Sequence, residues 1–461
     1  MKRISSIITL PAMFATMALV LPSTGCEDDN DDDDDHDHEE AGDDDDGMAT
    51  GDDDDGMQPP PAGCADPADP NASFVIVQSN ILADTTWTCD NIYVLAGSDV
   101  FVQGAVLTIQ PGTRIEGRES AALVIEKDAR IEAVGTADKP IVMTSSQPNP
   151  ARGDWGGLVL LGNAVANIGT GLAEGFPTPP TYGGNNPAHN CGTLQYVRVE
   201  WAGFPLVEGS ELNGITFYAC GTETTVDHVQ VYMGQDDGFE WFGGGFNASY
   251  LVSTGSADDS FDIDQGFQGQ LQHLLVVQDA LVGDNGFEIS NNDTAFDATP
   301  VTRPMIANAT VIGAGPVHDV KSRGFTLKEG TQATIQSTIF TNAKNGAALL
   351  THQATENQAT SGATVLTNNI FWNNGVPAFV AGGDDDAGTT WDNAAFEAWV
   401  NDPSRANLSI DPVLNANAAT APQAATGGAT LGAGFTPTTY IGAVDPAGPN
   451  WTLEAWVRAY P

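Results

Sequence analysis

The phrase "GQDDGFEWFGG", Gly234 to Gly244, places carboxylates on both sides of a glycine and an aromatic residue. Two later segments repeat this order of acids, small residue, phenylalanine and acid. The candidate metal-ligating carboxylates of the three segments are Asp236, Asp237, Glu240, Asp258, Asp259, Asp262, Asp264, Asp284 and Glu288. Clustered carboxylates bind hard cations such as calcium, and a pair of them can cleave glycosidic bonds. Either chemistry requires a fold that brings the three segments together.

The acidic segments belong to a longer series of turn phrases, in which Asn, Asp or Arg precedes glycine or serine and an apolar residue follows. The apolar members are Ile215, Phe239, Phe261, Phe287, Phe325, Ala347 and Val376. They recur every 22 to 29 residues, apart from one interval of 38 that contains an insertion from Ser290 to Thr302. Such a step is typical of solenoids, whose coils stack to form a shared core. We expect glycine to supply positive φ at each turn and the next apolar residue to point inward.

Short β-branched runs such as "IYVLAG" and "YVRVEWAG", broken by Gly, Asn and Asp, predict an all-β chain from Ile92 onward. Alternation along the strands then places Phe239 inside and Glu240 outside, with Asp262 and Asp264 outside in the next coil. Carboxylates stacked about 4.7–4.9 Å apart repel by about 3–4 kcal/mol at an effective dielectric near 20. Bound calcium, protonation of some members, or an acidic face splayed into water would each relieve that repulsion.

Turn geometry accounts for the presence of some acids in the cluster but not of others. Asp237 and Asp259 occupy the turn position that asparagine holds in neighbouring coils, so turn chemistry alone accounts for them. The acids outside the turn are confined to three adjacent coils, and turn geometry does not require them. We therefore interpret the cluster as a calcium site, with a solvated acidic face and catalysis as the alternatives.

These phrases, together with "LTIQPGTRIEG", "GTADKPIVMTS", "GDWGGLVLLG" and "YIGAVDPAGPNWTLEAWV", resemble right-handed parallel β-helix proteins of the pectin-lyase-like type. More narrowly, the chain is similar to a group of bacterial surface lipoproteins with such a body. The resemblance covers roughly Ile92 to Pro461. It implies an all-β, right-handed parallel β-helix at a cell surface, and it implies no particular activity.

The predicted β-helix also implies domain boundaries. We expect an N-terminal cap over residues 64–91, the β-helix over 92–430 and a C-terminal cap over 431–461, since bare terminal coils would expose strand edges. Trp451 and Trp456 are predicted to cover the far end. The stretch "WDNAAFEAWV", residues 391–400, has helical spacing.

An enzymatic alternative stays open because enzymes of this fold act on polysaccharides. The candidate catalytic residues are then Asp237, Asp259 and Arg323. Arg323 is included because lyases of this fold pair calcium with a basic residue. Its simpler role is a salt bridge that closes the acidic cluster. The Gly-His-Gly and Arg-Ile-Lys phrases of polygalacturonase-like enzymes are absent. The insertion "NIGTGLAEGFPTPPTYGGNNPAHNCG" would wall a groove, with Tyr182 and Phe242 as stacking surfaces for sugar rings.

The N-terminus predicts export. Residues 1–25 have the charged start, apolar stretch and small residues of a signal peptide. The end of this segment resembles a bacterial lipobox and predicts a diacylated Cys26, although Ser23 stands where an aliphatic residue is usual; cleavage and release is the alternative. Aspartate runs and a triple proline predict a disordered acidic linker over residues 26–63.

The cysteines agree with an oxidising compartment. Setting Cys26 aside leaves an even number, which favours disulfides. We predict the pairs Cys64 with Cys89 and Cys191 with Cys220 because those loops are short, although the sequence permits other pairings.

Charge and hydropathy restrict the partners. The formal net charge of −45 makes nucleic acid an improbable ligand. After the signal peptide, no stretch is long and apolar enough to span a bilayer. We therefore predict a lipid-anchored protein of the outer membrane or cell surface, which acts as a binding or adhesive module with calcium and polysaccharide as ligands. The alternative is a polysaccharide lyase or glycoside hydrolase that uses the same acids.

Overall fold

The computed structural model describes residues 60–207, 210–315, 320–383, 388–414 and 426–460. The predicted signal peptide, the acidic linker up to residue 59 and the lipidation site Cys26 lie outside these residues. Within them, no helix has the length and apolar composition needed to cross a membrane.

Most of the described strands belong to two large parallel sheets. The larger sheet contains β1 (Phe74–Val77), β2 (Thr85–Trp87), β3 (Ile92–Leu95), β5 (Val106–Ile109), β6 (Arg114–Gly117), β8 (Arg130–Val134), β9 (Ile141–Ser145), β13 (Gly192–Glu200), β17 (Thr225–Tyr232), β19 (Ala248–Thr254), β21 (Gln270–Val277), β23 (Met305–Ile312), β25 (Thr334–Gln336), β26 (Ile339–Thr341), β28 (Val365–Thr367) and β29 (Ile370–Trp372). The second contains β4 (Val100–Val102), β7 (Ala122–Ile125), β10 (Gly157–Leu161), β16 (Ile215–Tyr218), β18 (Phe239–Phe242), β20 (Phe261–Asp264), β22 (Asn285–Ile289), β24 (Arg323–Leu327), β27 (Ala348–Leu350) and β30 (Phe379–Ala381).

The remaining elements are small. Two antiparallel pairs join β11 (Gly171–Leu172) to β12 (Thr181–Tyr182) and β14 (Pro205–Val207) to β15 (Ser210–Glu211). The α-helices are α1 (Gln353–Ser361), which the sequence analysis did not predict, and α2 (Asn393–Val400) within the predicted helical stretch. Since the strands of successive coils pair in parallel, the molecule is a parallel β-helix, and the predicted fold class is confirmed.

The long strands of the larger sheet turn a corner at one residue in each coil. These residues adopt positive φ and lie between paired positions: Tyr196, His228, Tyr250, His273 and Asn308. Their rings stack where they are aromatic, with centroids 4.4 Å apart for Tyr196 and His228. Repetition of the same bend in each coil turns one long strand into two sides of the solenoid.

Glycine at the turns before the second sheet serves close packing. The prediction of positive φ is wrong for Gly214, Gly238 and Gly286, whose φ angles lie outside that region. A Cβ atom on Gly238 would lie 2.5 Å from Ser253 Oγ and 2.7 Å from the carbonyl oxygen of Ser260. Any side chain there would therefore collide with the neighbouring coil.

The predicted inward residues form a stacked ladder in the core. Ile215, Phe239, Phe261, Phe287 and Phe325 are fully buried. Ring centroids lie 5.2 Å apart for Phe239 and Phe261, and 5.4 Å apart for Phe261 and Phe287. Each coil thus adds one ring to a continuous hydrophobic core.

The predicted register fails at the last two members of the series, although Ala347 is buried in the core. Phe325 pairs in register with Ala348, and Ala348 pairs with Phe379. Val376, the predicted last member, is 97% exposed. Asn374 belongs to a different turn, because its Oδ1 accepts a hydrogen bond from the Ala343 backbone N–H at 3.0 Å.

The segment predicted as the N-terminal cap, residues 64–91, contributes strands to the solenoid. Strand β1 pairs with β3, and β2 pairs with β5, both in parallel. Trp87 stacks on Tyr93 with centroids 4.7 Å apart and closes the core at this end. This segment is therefore the first coil.

The far end of the core is covered by α2 rather than by residues 431–461. Phe396 of α2 is fully buried and packs edge-on against Phe379, with centroids 5.9 Å apart. Helix α2 lies against β30, the last strand of the second sheet. Helix α2 therefore caps the solenoid, which is the role predicted for residues 431–461.

Residues 426–460, which we call the C-terminal strap, run along the outer face of the larger sheet. Trp456 packs edge-on against Tyr196 at 6.1 Å, and Trp451 against Tyr250 at 5.3 Å. The predicted role of these tryptophans at the end of the solenoid is therefore wrong.

Both predicted disulfides are confirmed. Cys64 is bonded to Cys89, and Cys191 to Cys220. The second bridge joins the start of β13 to the end of β16, so it ties the base of the long insertion to the second sheet.

Candidate functional site

The three acidic strands, β18, β20 and β22, pair in register on the second sheet. Glu240 lies opposite Asp262, and Asp262 lies opposite Glu288. Threonine takes the equivalent position in the flanking strands, at Thr216 and Thr326. These carboxylates alternate with buried core residues, so they lie on the outward side of the sheet. We call the nine carboxylates of these three coils the acidic cluster.

Asp237 and Asp259 belong to a ladder of turn hydrogen bonds between coils. The Asp237 N–H donates to Asn213 Oδ1 at 3.1 Å, and the Asp259 N–H donates to Asp237 Oδ1 at 2.9 Å. The Asn285 N–H in turn donates to Asp259 Oδ1 at 2.6 Å. Each carboxylate therefore holds the backbone of the next coil, as its place in the turn series suggests.

Several carboxylates of the cluster converge closely enough to share a cation. In three groups, one oxygen from each residue lies within 4.8 Å of the others: Asp236 with Asp237 and Asp258, Asp237 with Glu240 and Asp262, and Asp259 with Asp262 and Glu288. Asp262 Oδ1 is buried and has no hydrogen-bond partner in the described part of the chain. Asp264 and Asp284 belong to none of the groups found among the described residues.

Most side chains of the cluster are buried or half-buried, which does not fit a fully solvated acidic face. Asp237, Glu240 and Asp259 are buried, and Asp258 is the exposed member. Glu174, on the insertion between β10 and β13, hydrogen-bonds to the Glu240 carboxyl. The sequence analysis missed Glu174 because it lies in a non-repeating loop.

Burial and mutual repulsion raise the pKa values of these carboxyls. Burial, followed by the charge of Asp258, raises the pKa of Asp236 to about 7. Burial, followed by the charge of Asp284, raises the pKa of Asp258 to about 6. Burial raises the pKa of Asp264 to about 7. Burial also raises the pKa well above its usual range for Asp237, Glu240, Asp259 and Asp262. A proton or a bound cation must therefore compensate much of this charge near neutral pH.

Two lysines neutralise one end of the cluster. Lys328 Nζ forms an ion pair with Glu288, and Lys321 Nζ lies 3.2 Å from Asp284 Oδ2. Burial lowers the pKa of Lys328, but the charges of Glu288 and Asp262 outweigh it and raise the pKa overall. Lys328 was not predicted, although it lies two residues after Thr326 and so on the same outward side.

Arg323, the basic residue predicted to close the cluster, begins β24 and lies opposite Asn285. Lys321 and Lys328 form ion pairs with Asp284 and Glu288 at the same end of the cluster.

The predicted sugar-stacking surfaces at Tyr182 and Phe242 are wrong, because both rings are buried. Both pack on Tyr218, with centroid distances of 4.6 Å for Tyr182 and 4.7 Å for Phe242. The Tyr182 hydroxyl donates to Gln265 Oε1 at 2.6 Å. These contacts attach the insertion to the solenoid and hold it over Glu240.

Comparison with known proteins agrees with this architecture. A family model described as a pectate-lyase-like β-helix domain matches residues 79–412, well over half of the chain. No curated protein and no solved structure matches the chain. The family supports a role related to polysaccharides. With parallel strands stacked coil on coil over the matched residues, the chain belongs to the pectate-lyase-like β-helix family.

Proposed function

We propose that this protein is a cell-surface β-helix that binds polysaccharide and holds calcium in its acidic cluster, anchored by a lipid on Cys26. The observation that carries the calcium proposal is the presence of three carboxylate groups, each drawn from two adjacent coils, in which one oxygen of each residue lies within 4.8 Å of the others. Calcium prefers oxygen ligands, which it accepts in flexible geometry. The unpartnered Asp262 Oδ1 fits this donor set, since a buried polar atom without a partner is unfavourable.

Asp237 and Asp262 are each shared by two of the three groups. Asp262 is the central candidate ligand, because its buried Oδ1 has no hydrogen-bond partner among the described residues, whereas Asp237 Oδ1 accepts from the Asp259 N–H. Bound calcium would neutralise the buried carboxylates that Lys321 and Lys328 leave uncompensated. Asp258 is exposed and Asp236 is half-buried, so this side of the cluster is open to a ligand. A polysaccharide with carboxylate groups would share the cation with these residues, and this supports binding of acidic rather than neutral glycans.

Calorimetric titration with calcium tests the metal site. We expect the wild-type chain to bind calcium and Asp262→Asn to bind at least about tenfold more weakly, since a ligand charge is lost at nearly constant shape. Glu223→Gln removes one exposed acid outside the cluster and serves as the control. Equal calcium heats for the wild type and Asp262→Asn, with both folded, would refute the site.

Glycan arrays with and without calcium test the polysaccharide proposal. We expect acidic glycans to be retained in calcium and released by a chelator. Retention that does not depend on calcium would separate glycan binding from the acidic cluster. Absence of retention on every acidic glycan would refute the binding function.

The second candidate is a polysaccharide lyase or glycoside hydrolase. Asp236 and Asp258 favour it, because their oxygens converge at the open side of the cluster and their pKa values are about 7 and 6. Such a pair can exchange protons with a substrate near neutral pH. Incubation with the same glycans should then generate unsaturated or new reducing ends, and Asp236→Asn should abolish them. Unchanged glycans after prolonged incubation would leave binding as the function.

The anchor is tested by metabolic labelling. We expect radiolabelled fatty acid to be incorporated into the wild type but not into Cys26→Ser, which should be released from the membrane fraction. Equal labelling of both forms would refute lipidation at this residue.

A further inference from the structure

The first strand of the larger sheet has one backbone edge with no neighbouring strand among the described residues. Strand β1 ends the sheet order and pairs with β3 on its other side. The carbonyl oxygens of Ser73 and Val77 accept hydrogen bonds from the next coil. Because backbone groups alternate between the two edges of a strand, those of Phe74 and Ile76 point outward.

This edge is also apolar and uncharged. Phe74, Val75 and Ile76 are 49%, 38% and 46% exposed, and the nearby Leu82 is 69% exposed. The stretch from 70 to 83 contains no Asp, Glu, Lys or Arg, although the chain has a net charge of −45. An apolar strand edge without protecting charges is a template for pairing with another strand.

We propose that two copies of this chain dimerise head to head by antiparallel pairing of their β1 strands. For two strongly acidic molecules, an uncharged strand edge limits the repulsion between like charges at the point of contact. The sequence from 27 to 55 contains 19 acids and no apolar run, so its composition does not suit it to pair with this apolar edge. A lipid surface would cover the side chains but would leave the backbone groups of Phe74 and Ile76 without hydrogen bonds.

The outward groups also favour one register. A twofold axis at Val75 places Phe74 opposite Ile76 of the partner subunit, so that both outward residues exchange hydrogen bonds with the partner. Val75 then faces its own copy in a non-hydrogen-bonded pair, with Cα atoms about 4.5 Å apart. That separation lies within the range of a disulfide bond. The interface is isologous, as is typical of symmetric dimers.

Sedimentation velocity of the full-length chain tests this proposal in a Cys26→Ser background, which removes the unpaired cysteine and the proposed lipid. We expect a concentration-dependent dimer for the parent, weakened by about tenfold or more in Ile76→Lys and in Ile76→Pro. The proline removes only an outward N–H of β1, so the pairing with β3 should persist. Leu453→Lys, at an exposed leucine of the C-terminal strap, should dimerise like the parent.

Cross-linking checks the register. Val75→Cys should form a covalent dimer under mild oxidation, whereas Leu453→Cys should remain a monomer on non-reducing gels. A parent that is monomeric at every concentration, or dimers of equal strength in the parent and Ile76→Lys, would overturn the proposal. The proposal would also be overturned if the parent were monomeric and bound neutral phosphatidylcholine vesicles in a way that Ile76→Lys abolishes, since the edge would then contact lipid.

Discussion

Glu240 lies directly opposite Asp262 in the parallel pairing of β18 with β20, and both side chains lie on the outward side of the sheet. Neighbouring strands are about 4.8 Å apart, so the two carboxylates cannot both remain charged and buried without compensation. Glu174, on the insertion between β10 and β13, hydrogen-bonds to Glu240, which is buried. The acidic cluster therefore concentrates like charges where burial makes them unfavourable for the stability of the folded state.

Lys328 should matter more for stability than its neighbour Lys321. Lys328→Met leaves Glu288 and Asp262 without their nearest cation, and we expect a loss of about 2–4 kcal/mol of unfolding free energy. Lys321 is largely exposed, so the same substitution there should cost less than about 1 kcal/mol. Denaturant unfolding in a chelator measures both values. Equal effects would show that burial does not strengthen the Lys328 ion pair.

Gly238→Ala should destabilise the fold by about 1–3 kcal/mol, because the new Cβ atom would overlap Ser253 Oγ and the backbone of Ser260. Gly432→Ala is the matched control, since nothing lies within 4 Å of a Cβ atom at that position. It should be neutral or slightly stabilising. Thermal unfolding of the two variants provides the comparison, and equal melting temperatures would contradict the packing role of Gly238.

Trp456→Ala should loosen the C-terminal strap without unfolding the solenoid. The indole is fully buried against the larger sheet and also stacks on Trp451, with centroids 5.9 Å apart. Its removal should cost about 3–5 kcal/mol of local packing energy. Limited proteolysis should then cleave the strap while the β-sheet circular dichroism persists. Uniform loss of both signals would mean that the strap and the coils unfold together.

His273 predicts acid sensitivity outside the acidic cluster. Its pKa is lowered to about 4, chiefly by burial and also by the charge of His228. A hydrogen bond to the Ala443 carbonyl oxygen and the charge of Asp227 oppose this shift. The unfolded chain binds the proton more tightly, so the stabilising contribution is complete above about pH 6.5 and is lost as the pH falls toward 4.

His273→Phe provides the comparison, because the ring can still stack on Tyr250 but cannot be protonated. The wild type should lose on the order of 2–3 kcal/mol relative to this variant between pH 7 and pH 4. Unfolding free energies at both pH values measure the difference. Parallel pH profiles would show that His273 does not contribute.

The repeat of similar turn phrases in successive coils made the register of the second sheet predictable from the sequence. The register of Phe239 with Phe261, and of Glu240 with Asp262, follows from turn phrases of similar length in successive coils. Prediction failed at Val376, where the spacing between coils no longer matched the turn phrase. It also failed for the turn glycines, because sequence shows that a small residue is needed but not whether φ or crowding requires it.

The sequence alone indicated the solenoid, most of its inward ladder and the stacking of acids from three coils, since each depends on local periodicity. It also favoured both disulfides, because the loops that they close are short. The tertiary structure alone decided which acids are covered. Burial of Glu240 depends on Glu174, Tyr182 and Tyr218, and neutralisation of Glu288 depends on Lys328. The contacts of Glu240 with Glu174 and of Glu288 with Lys328 join residues 66 and 40 positions apart, and such pairings become definite only when the whole chain is packed.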